Sequence, residues 1–391
     1  MKVIVTCEFR FMRTADGQVW TTSAFPYFFW QRYLSVFDEV QIVARIQDVA
    51  TRDAGWQRVT GDRVTARGLP YYVGLSGLLK NLFSTYRQLA AILANAEAVI
   101  FRVPSPIAML GILAKPKGNF AYALELVGDP YDVFQSGIVN QFSDKCIGWL
   151  TMKSLQRLVK KAIAVSYVTQ HYLQQRYPAS GLTYTAACSS IELKPEKIRP
   201  EPRQYTEPAR QLVFIGSFGQ LYKGPDLLIQ ALKILKDNGA EYQLTMLGGG
   251  AFLESMQQLA DSLGVESQIH FAGEVAAAQV NDYLAKAEVF IMPSRTEGLP
   301  RAMIEAMADG LPCIGSKVGG IPELLEPHWL IENENSQMLA DKIQQLCESV
   351  TLLNQQSQRN LGVASEYEAS LLAKRRQAFY QHIKNETAER L

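Results

Sequence analysis

Between Thr296 and Glu305 the chain reads TEGLPRAMIE, which sets two glutamates, Glu297 and Glu305, eight positions apart. On one continuous helix that interval leaves the carboxylates about 80° apart round the axis, so they would not share a face. A loop carrying Glu297 and a helix carrying Glu305 suits the residues better. Pro300 fits a first helical turn, where its missing N–H is no loss. The free N–H groups and positive dipole end of such a helix favour a phosphate. Glu297 would then meet the hydroxyls of a sugar, with Glu305 about 7 Å along the axis from Pro300. A pyrophosphate at the helix start would have a carboxylate on either side, and carboxylates accept well from paired hydroxyls such as a ribose diol.

Alone, a glutamate pair at this spacing is expected about once by chance in such a chain. Its neighbours strengthen it. After LVFIGS comes FGQLYKG, which places Lys223 just ahead of a helical pattern. After QLTMLG come Gly249 and Gly250, where another group can approach the backbone closely, and after QIHFAG come Glu274 and Val275. Gly319-Gly320 precedes Pro322-Glu323 at a further helix start. A lone lysine after a turn is ordinarily a solvated charge, and paired glycines are ordinarily turns. Their common position, in order and each after a strand, is what makes them a candidate site.

The elements that must hold these residues follow an alternation of short apolar runs with longer amphipathic ones, the pattern of a parallel α/β chain. In the first half the strand candidates are 2–7, 40–45, 98–103, 121–127 and 162–168. Helical segments are expected near 19–36, 75–95, 105–114, 145–160 and 169–177. The second half restarts the series with strands at 212–217, 243–248, 268–273, 289–294 and 312–316. Helices at 225–238, 252–263, 278–286, 300–308 and 321–326 alternate with them, and past about 335 the chain reads as wholly helical. The proline-rich, charged stretch 188–208 reads as a linker between domains 1–187 and 209–364, with 365–391 a final helix. The fold class expected is α/β, two Rossmann-like, doubly wound parallel-sheet domains facing a cleft.

Bulk properties narrow the classes. A formal net charge of +1 over 391 residues gives no support for a nucleic-acid binder. Cys7, Cys146, Cys188, Cys313 and Cys347 lie far apart with no CxxC pair, which suits a reducing, cytoplasmic setting better than a disulfide framework or zinc site. The apolar start is interrupted by Glu8 and reads as a buried strand, not a secretory signal. No apolar run is long enough to span a membrane. Two apolar segments keep peripheral membrane contact open: FPYFFWQRYL (25–34) and the helical stripe Leu75, Leu78, Leu79, Leu82, Phe83, Tyr86, Ala90 and Leu93. Such stripes are usually core, and that is the expectation for both.

The stretch PSRTEGLPRAMIEAMADGLPCIGSKVGGIPELL resembles the donor-site signature of glycosyltransferase family 4, retaining enzymes with the GT-B fold. IGSFGQLYKGPDLLIQAL, LGGG and HFAGEV are similar to that family in order and spacing, so the resemblance covers about 211–327. It is looser in the first half, at YVTQHYLQQRYP and at DGQ (16–18). The resemblance implies transfer of a sugar from a UDP- or GDP-sugar to a saccharide or lipid-linked acceptor, without a metal or other cofactor. It implies that Glu297 serves the donor sugar, helped by the backbone of Gly298, Leu299 and Pro300, and that Glu305 holds the ribose. Lys223 would neutralise the diphosphate leaving group, Gly17 would approach the phosphates from the opposing domain, and Glu274-Val275 would frame the base.

Two departures stand out. Ser217 occupies the position where the family usually has arginine, and serine cannot replace a charged bidentate fork. Arg295, Arg301 and Arg13 are the candidate substitutes. The family often has a histidine after the fifth strand, where this chain has ELVGDPYD. Asp129 is the nearest polar candidate for a catalytic role, with Glu125 behind it, although Gly128-Asp129-Pro130 is also good turn chemistry. His171, His270, His328 and His382 all lie elsewhere. Two rival readings stay open, a nucleotide-sugar epimerase of the same architecture and a catalytically silent nucleotide-sugar-binding protein.

Overall fold

The computed structural model describes residues 1–22, 24–115, 120–130 and 142–390, and within them every side chain except those of Leu75, residues 142–146 and Ala277. The side chains of Cys146 and Leu75 and the end of the ELVGDPYD loop (131–132) therefore lie outside the described part.

The first sheet is built on β1 (Lys2–Arg13), which pairs in parallel with β3 (Glu39–Asp48) and β6 (Ala98–Val103). Outward from β3 lies β5 (Val64–Leu69). Outward from β6 lie β7 (Ala123–Leu126), β8 (Ala164–Tyr167) and β9 (Tyr184–Ala187). Alternation along β6 sets the two faces: Val99 and Phe101 join one apolar cluster, Ala98 and Ile100 the other. On the first face pack α2 (Gly74–Leu93), α3 (Pro106–Ala114) and α4 (Phe142–Lys161), through Leu89, Ile107 and Leu155. On the second pack α1 (Tyr27–Gln31) and α13 (Ala369–Ala388), through Trp30, Phe379 and Tyr380.

The second sheet, in the order β12-β11-β10-β13-β14-β15, is parallel throughout. Its strands are β10 (Gln211–Ile215), β11 (Gln243–Leu247), β12 (Ile269–Gly273), β13 (Val289–Met292), β14 (Cys313–Ser316) and β15 (Leu330–Ile331). The helices that position the candidate site are α6 (Pro225–Asp237), α8 (Ala277–Lys286), α9 (Arg301–Ala308) and the short α10 (Ile321–Leu324).

Several expectations need correcting. The span 19–36 is not one helix: β1 runs on past Glu8 and folds back as a hairpin into β2 (Val19–Thr21), which pairs with β4 (Gln57–Arg58). Only α1 and a 3-10 turn over Arg32–Ser35 are helical. The segment 169–177 shrinks to α5 (Tyr172–Arg176). In α2 the apolar stripe reaches the core only at its end, through Ala90 and Leu93. Its buried line runs through Thr85, Leu89 and Leu93, while Leu79 is 62% exposed, Phe83 77%, and Leu82 and Tyr86 40% each. At about 100° per residue the stripe centre lies roughly 55° round the helix from that line. The other aromatic segment is core as expected, with Phe29, Trp30 and Tyr33 buried.

The chain between the sheets is anchored along its length. Cys188, Ser189, Ile191 and Leu193 are buried, Arg199 N–H donates to the Ala308 carbonyl, and Arg203 donates to carbonyls of Leu284, Ala287 and Asp309. The return crossing lies beside it, where Leu193 bridges Glu368 in parallel and the Ala369 N–H donates to Leu193 O at 2.7 Å.

Candidate functional site

The loops singled out in the second domain lie at the carboxyl ends of β10–β13, as an open parallel sheet requires. A 3-10 turn over Leu221–Lys223 follows β10 and ends at Gly224. Gly224 has φ +70°, and a Cβ there would stand 2.0 Å from the Pro293 carbonyl oxygen, so only glycine lets this turn lie against the end of β13. That contact brings Lys223 to Glu297: the ammonium donates to Glu297 Oε1, which also accepts from Ser294 Oγ at 2.8 Å. Both side chains are largely buried, 15% exposed for Lys223 and 7% for Glu297.

Arg295 locks the two loops together. Its guanidinium forks onto Asp226 at 2.7 and 2.8 Å, reaches Glu334, and donates to the Leu221 carbonyl, while its own N–H donates to Tyr222 O. Arg295 is therefore a fastener of the Lys223 turn and not a substitute charge for Ser217. Arg13 is likewise committed, to Asp48 at the end of β3, and Arg301 stays exposed at the first turn of α9. Ser217 is exposed and closes its own turn, accepting from the Gly219 N–H at 3.1 Å.

Immediately after Glu297 the chain enters α9. Pro300 stands at the N-cap with φ −74° and ψ 108°, one residue earlier than the first-turn position expected, and no side chain caps the helix. The first-turn N–H groups therefore have no intrahelical acceptor and face the Glu297 loop. Leu299 is buried, and the Gly320 N–H donates to Gly298 O at 2.7 Å. Gly249 lies against Glu274, with a built Cβ 3.3 Å from that of Glu274, so the loops after β11 and β12 form one wall. Glu274 is exposed and Val275 half-buried.

Glu305 sits apart from the Lys223–Glu297 pair. It faces a cavity of about 310 Å³ between α8, α9 and the crossing segment, shared with Lys197, Asn281 and Asp309. Burial pushes its carboxyl above the usual range, opposed by the charges of Arg301 and Lys197.

The first domain closes on this site. A Cβ on Gly298 would stand 2.8 Å from the Val127 carbonyl oxygen, and one on Gly320 3.1 Å from the Thr169 methyl. The Glu323 carboxylate accepts N–H groups of Gln170 (2.6 Å), His171 (2.9 Å) and Tyr172 (2.5 Å), capping α5 from the opposite domain. Asp129 lies directly behind the Val127 contact, but its carboxylate is turned inward. Arg176 pairs with it at 2.8 Å, Tyr177 donates to it, and the side chain has no exposed surface. The oxygens of Asp129, the residue expected to serve catalysis, are thus engaged inside the first domain. Gly17 is at the tip of the β1–β2 hairpin with φ +78°. The residues beside it line an open cavity of about 600 Å³ with Trp20, Arg52 and Arg58, all of the first domain, and not the Glu297 loop.

Some contacts had no signal in the sequence. Ser294 lies two residues past the end of β13 with nothing local to announce its bond to Glu297, and the acceptor side of Glu323 depends on a domain contact no local pattern announces. Glu125 is buried under Arg102, Tyr33 and Tyr380, a cluster assembled from four elements.

Residues 196–361 match the family model "Glycosyl transferases group 1". Protein CapJ of Staphylococcus aureus is 26% identical over 314 residues, 79% of this chain and 77% of its own. A GDP-mannose-dependent alpha-(1-6)-phosphatidylinositol monomannoside mannosyltransferase of Mycolicibacterium smegmatis is 29% identical over 59% of this chain and 60% of its own. Among solved structures, sucrose-phosphate synthase of Thermosynechococcus elongatus superposes with a TM-score of 0.72 at 16% identity, covering 99% of this chain and 100% of that one.

Proposed function

We propose that this chain, a glycosyltransferase of the GT-B fold whose residues 196–361 carry the group 1 match, moves a sugar from a nucleotide diphosphate sugar to a saccharide or lipid-linked acceptor with retention of anomeric configuration. The observation that carries this reading is the Lys223–Glu297–Ser294 cluster set directly before the uncapped start of α9. In the reaction the bond between the anomeric carbon and the diphosphate oxygen breaks, and negative charge develops on the leaving group. Lys223 and the first N–H groups of α9 lie where they would stabilise that charge. This arrangement supports charge neutralisation without a metal, and a chelator is expected to leave the rate unchanged.

In this reading residues 209–364 hold the donor and 1–187 the acceptor. Glu297 supports the reacting sugar, Glu274 and Val275 frame the base beside Gly249, and Glu305 takes the ribose. The acceptor oxygen forms the new bond on the face the diphosphate leaves, and a phosphate oxygen takes its proton. Asp129, through Arg176 and Tyr177, fixes the Val127–Gly128 loop against Gly298 and so sets how the domains meet. The mycobacterial relative's name, with its GDP-sugar donor and phosphatidylinositol monomannoside acceptor, supports a lipid-linked acceptor for this chain. Four described cysteines, buried and free, suit the cytoplasm.

A panel of nucleotide sugars with and without acceptors, followed by nucleotide release and sugar analysis, tests the reading. Transfer that requires an acceptor is expected. Conversion of the donor alone would point to an epimerase. Binding without turnover from any donor would point to a silent binding protein, the alternative favoured by an uncharged Ser217.

A further inference from the structure

The face of the first domain made by α2, α3 and α4 carries an apolar surface the fold does not use. On α2 the exposed line Leu79, Leu82, Phe83 and Tyr86 recurs at helical spacing, with Phe83 77% in solvent. Next to α2 lies α3, which has no charged residue and exposes Leu113 to 71%. On α4 Trp149 is 51% exposed and Leu150 59%. Apolar surface exposed on helices that cover one face of a sheet marks an interaction site.

The charges around it choose the partner. α2 contains Lys80 and Arg87 and no acidic residue, and both are exposed. At about 100° per residue they flank the stripe on the side away from the sheet. From Ile147 onward α4 contains Lys153, Arg157, Lys160 and Lys161, all exposed, and again no acidic residue. The whole chain has a formal net charge of only +1, so this basic face is a local segregation. Apolar side chains bordered by basic ones are the composition of a surface that lies in a lipid interface. A two-fold contact with a second copy would set these lysines and arginines against their own counterparts, with Asp144 the one acidic residue on the three helices.

We infer that the α2–α3–α4 face docks on an anionic lipid surface, with Leu79, Phe83, Trp149 and Leu150 entering the interface and Lys80, Arg87, Lys153 and Arg157 meeting the headgroups. α2 begins five residues past the carboxyl end of β5, at the sheet edge that faces the cleft, so docking there presents the cleft to a lipid-held acceptor. The inference deepens the lipid-linked-acceptor reading, but vesicle binding is measured without donor or acceptor and stands or falls separately from transfer.

The full chain is sedimented with vesicles of phosphatidylcholine alone and of phosphatidylcholine mixed with phosphatidylglycerol. The expected result is binding to the anionic vesicles only, released by salt. Leu79→Ser with Phe83→Ser should weaken it by about tenfold or more. Lys153→Glu with Arg157→Glu should weaken it by at least roughly fivefold for each charge altered. Melting temperature and transfer to a soluble acceptor should be unchanged in both variants. Absence of vesicle binding by the natural chain, or binding unaffected by both pairs of substitutions, would overturn the inference. So would a dimer in light scattering that Phe83→Ser turns into a monomer, since that result assigns the face to a second copy.

Discussion

At the scale of single residues the site depends on one ion pair and its fastener. Lys223 and Glu297 are held together, and Arg295 ties their loops by a planar fork that lysine cannot reproduce. Arg295→Lys keeps the charge and loses the fork, so kcat should fall about tenfold to a hundredfold through misplacement of Lys223. A rate close to that of the natural chain would instead make Arg295 a simple source of charge. Glu305 offers a second measurement. Burial raises its carboxyl pKa, so the native state holds this proton to higher pH than the unfolded chain does. Its contribution to stability is thus present at low pH and lost as pH rises through the raised value. Glu305→Gln should therefore melt above the natural chain at neutral pH, with the gap closing toward acid, while calorimetry shows weaker UDP or GDP binding. A gap independent of pH would contradict the assigned cause. Glu297, Lys223 and Gly298 were legible because loop, proline and helix pattern are local. The inward turn of Asp129 was not, because Arg176 and Tyr177 reach it only through the fold.

At the scale of elements, the strands that could be read were those with unbroken apolar runs. β5, VTARGL, and β9, YTAA, lack such runs and lie toward the sheet margins, where half-exposed positions carry polar residues. β1 was cut short at Glu8 because that residue's charge interrupts the run. Its carboxylate is in fact bound by Arg45 and Ser105, so the strand continues. The face buried by α2 was misread because periodicity locates an apolar stripe but not the line of contact with the sheet. The contact of α10 with α5 makes a prediction of its own. Glu323→Ala removes the carboxylate that accepts three charge-assisted hydrogen bonds at the α5 start, which should shift the balance toward an open cleft by about tenfold or more. Small-angle scattering should then show a larger radius of gyration. An unchanged curve would mean that the Gly298–Val127 contact alone holds the domains.

At the scale of the whole molecule, the two crossings lie side by side and α13 returns to the first sheet. There Tyr380 donates to Glu125 at 3.1 Å, beside Tyr33 and Arg102. A buried carboxylate that loses one donor costs about 1.5–3 kcal/mol, so Tyr380→Phe should lower first-domain stability by that order. Urea unfolding followed by first-domain tryptophans should register it, and an unshifted midpoint would show that α13 is held by packing alone. Two doubly wound sheets were legible from the alternation of apolar runs, whereas closure between them was not, since it rests on contacts of Glu323 and Gly298 with residues more than 150 positions earlier in the chain. The central claim is that the Lys223–Glu297 cluster performs retaining transfer. The most direct measurement is the anomeric configuration of the product, by NMR, from an α-linked donor with the natural chain and with Glu297→Gln. An α-linked product is expected, with turnover falling about a hundredfold to a thousandfold in a variant that still folds. A β-linked product, or undiminished turnover by Glu297→Gln, would contradict it.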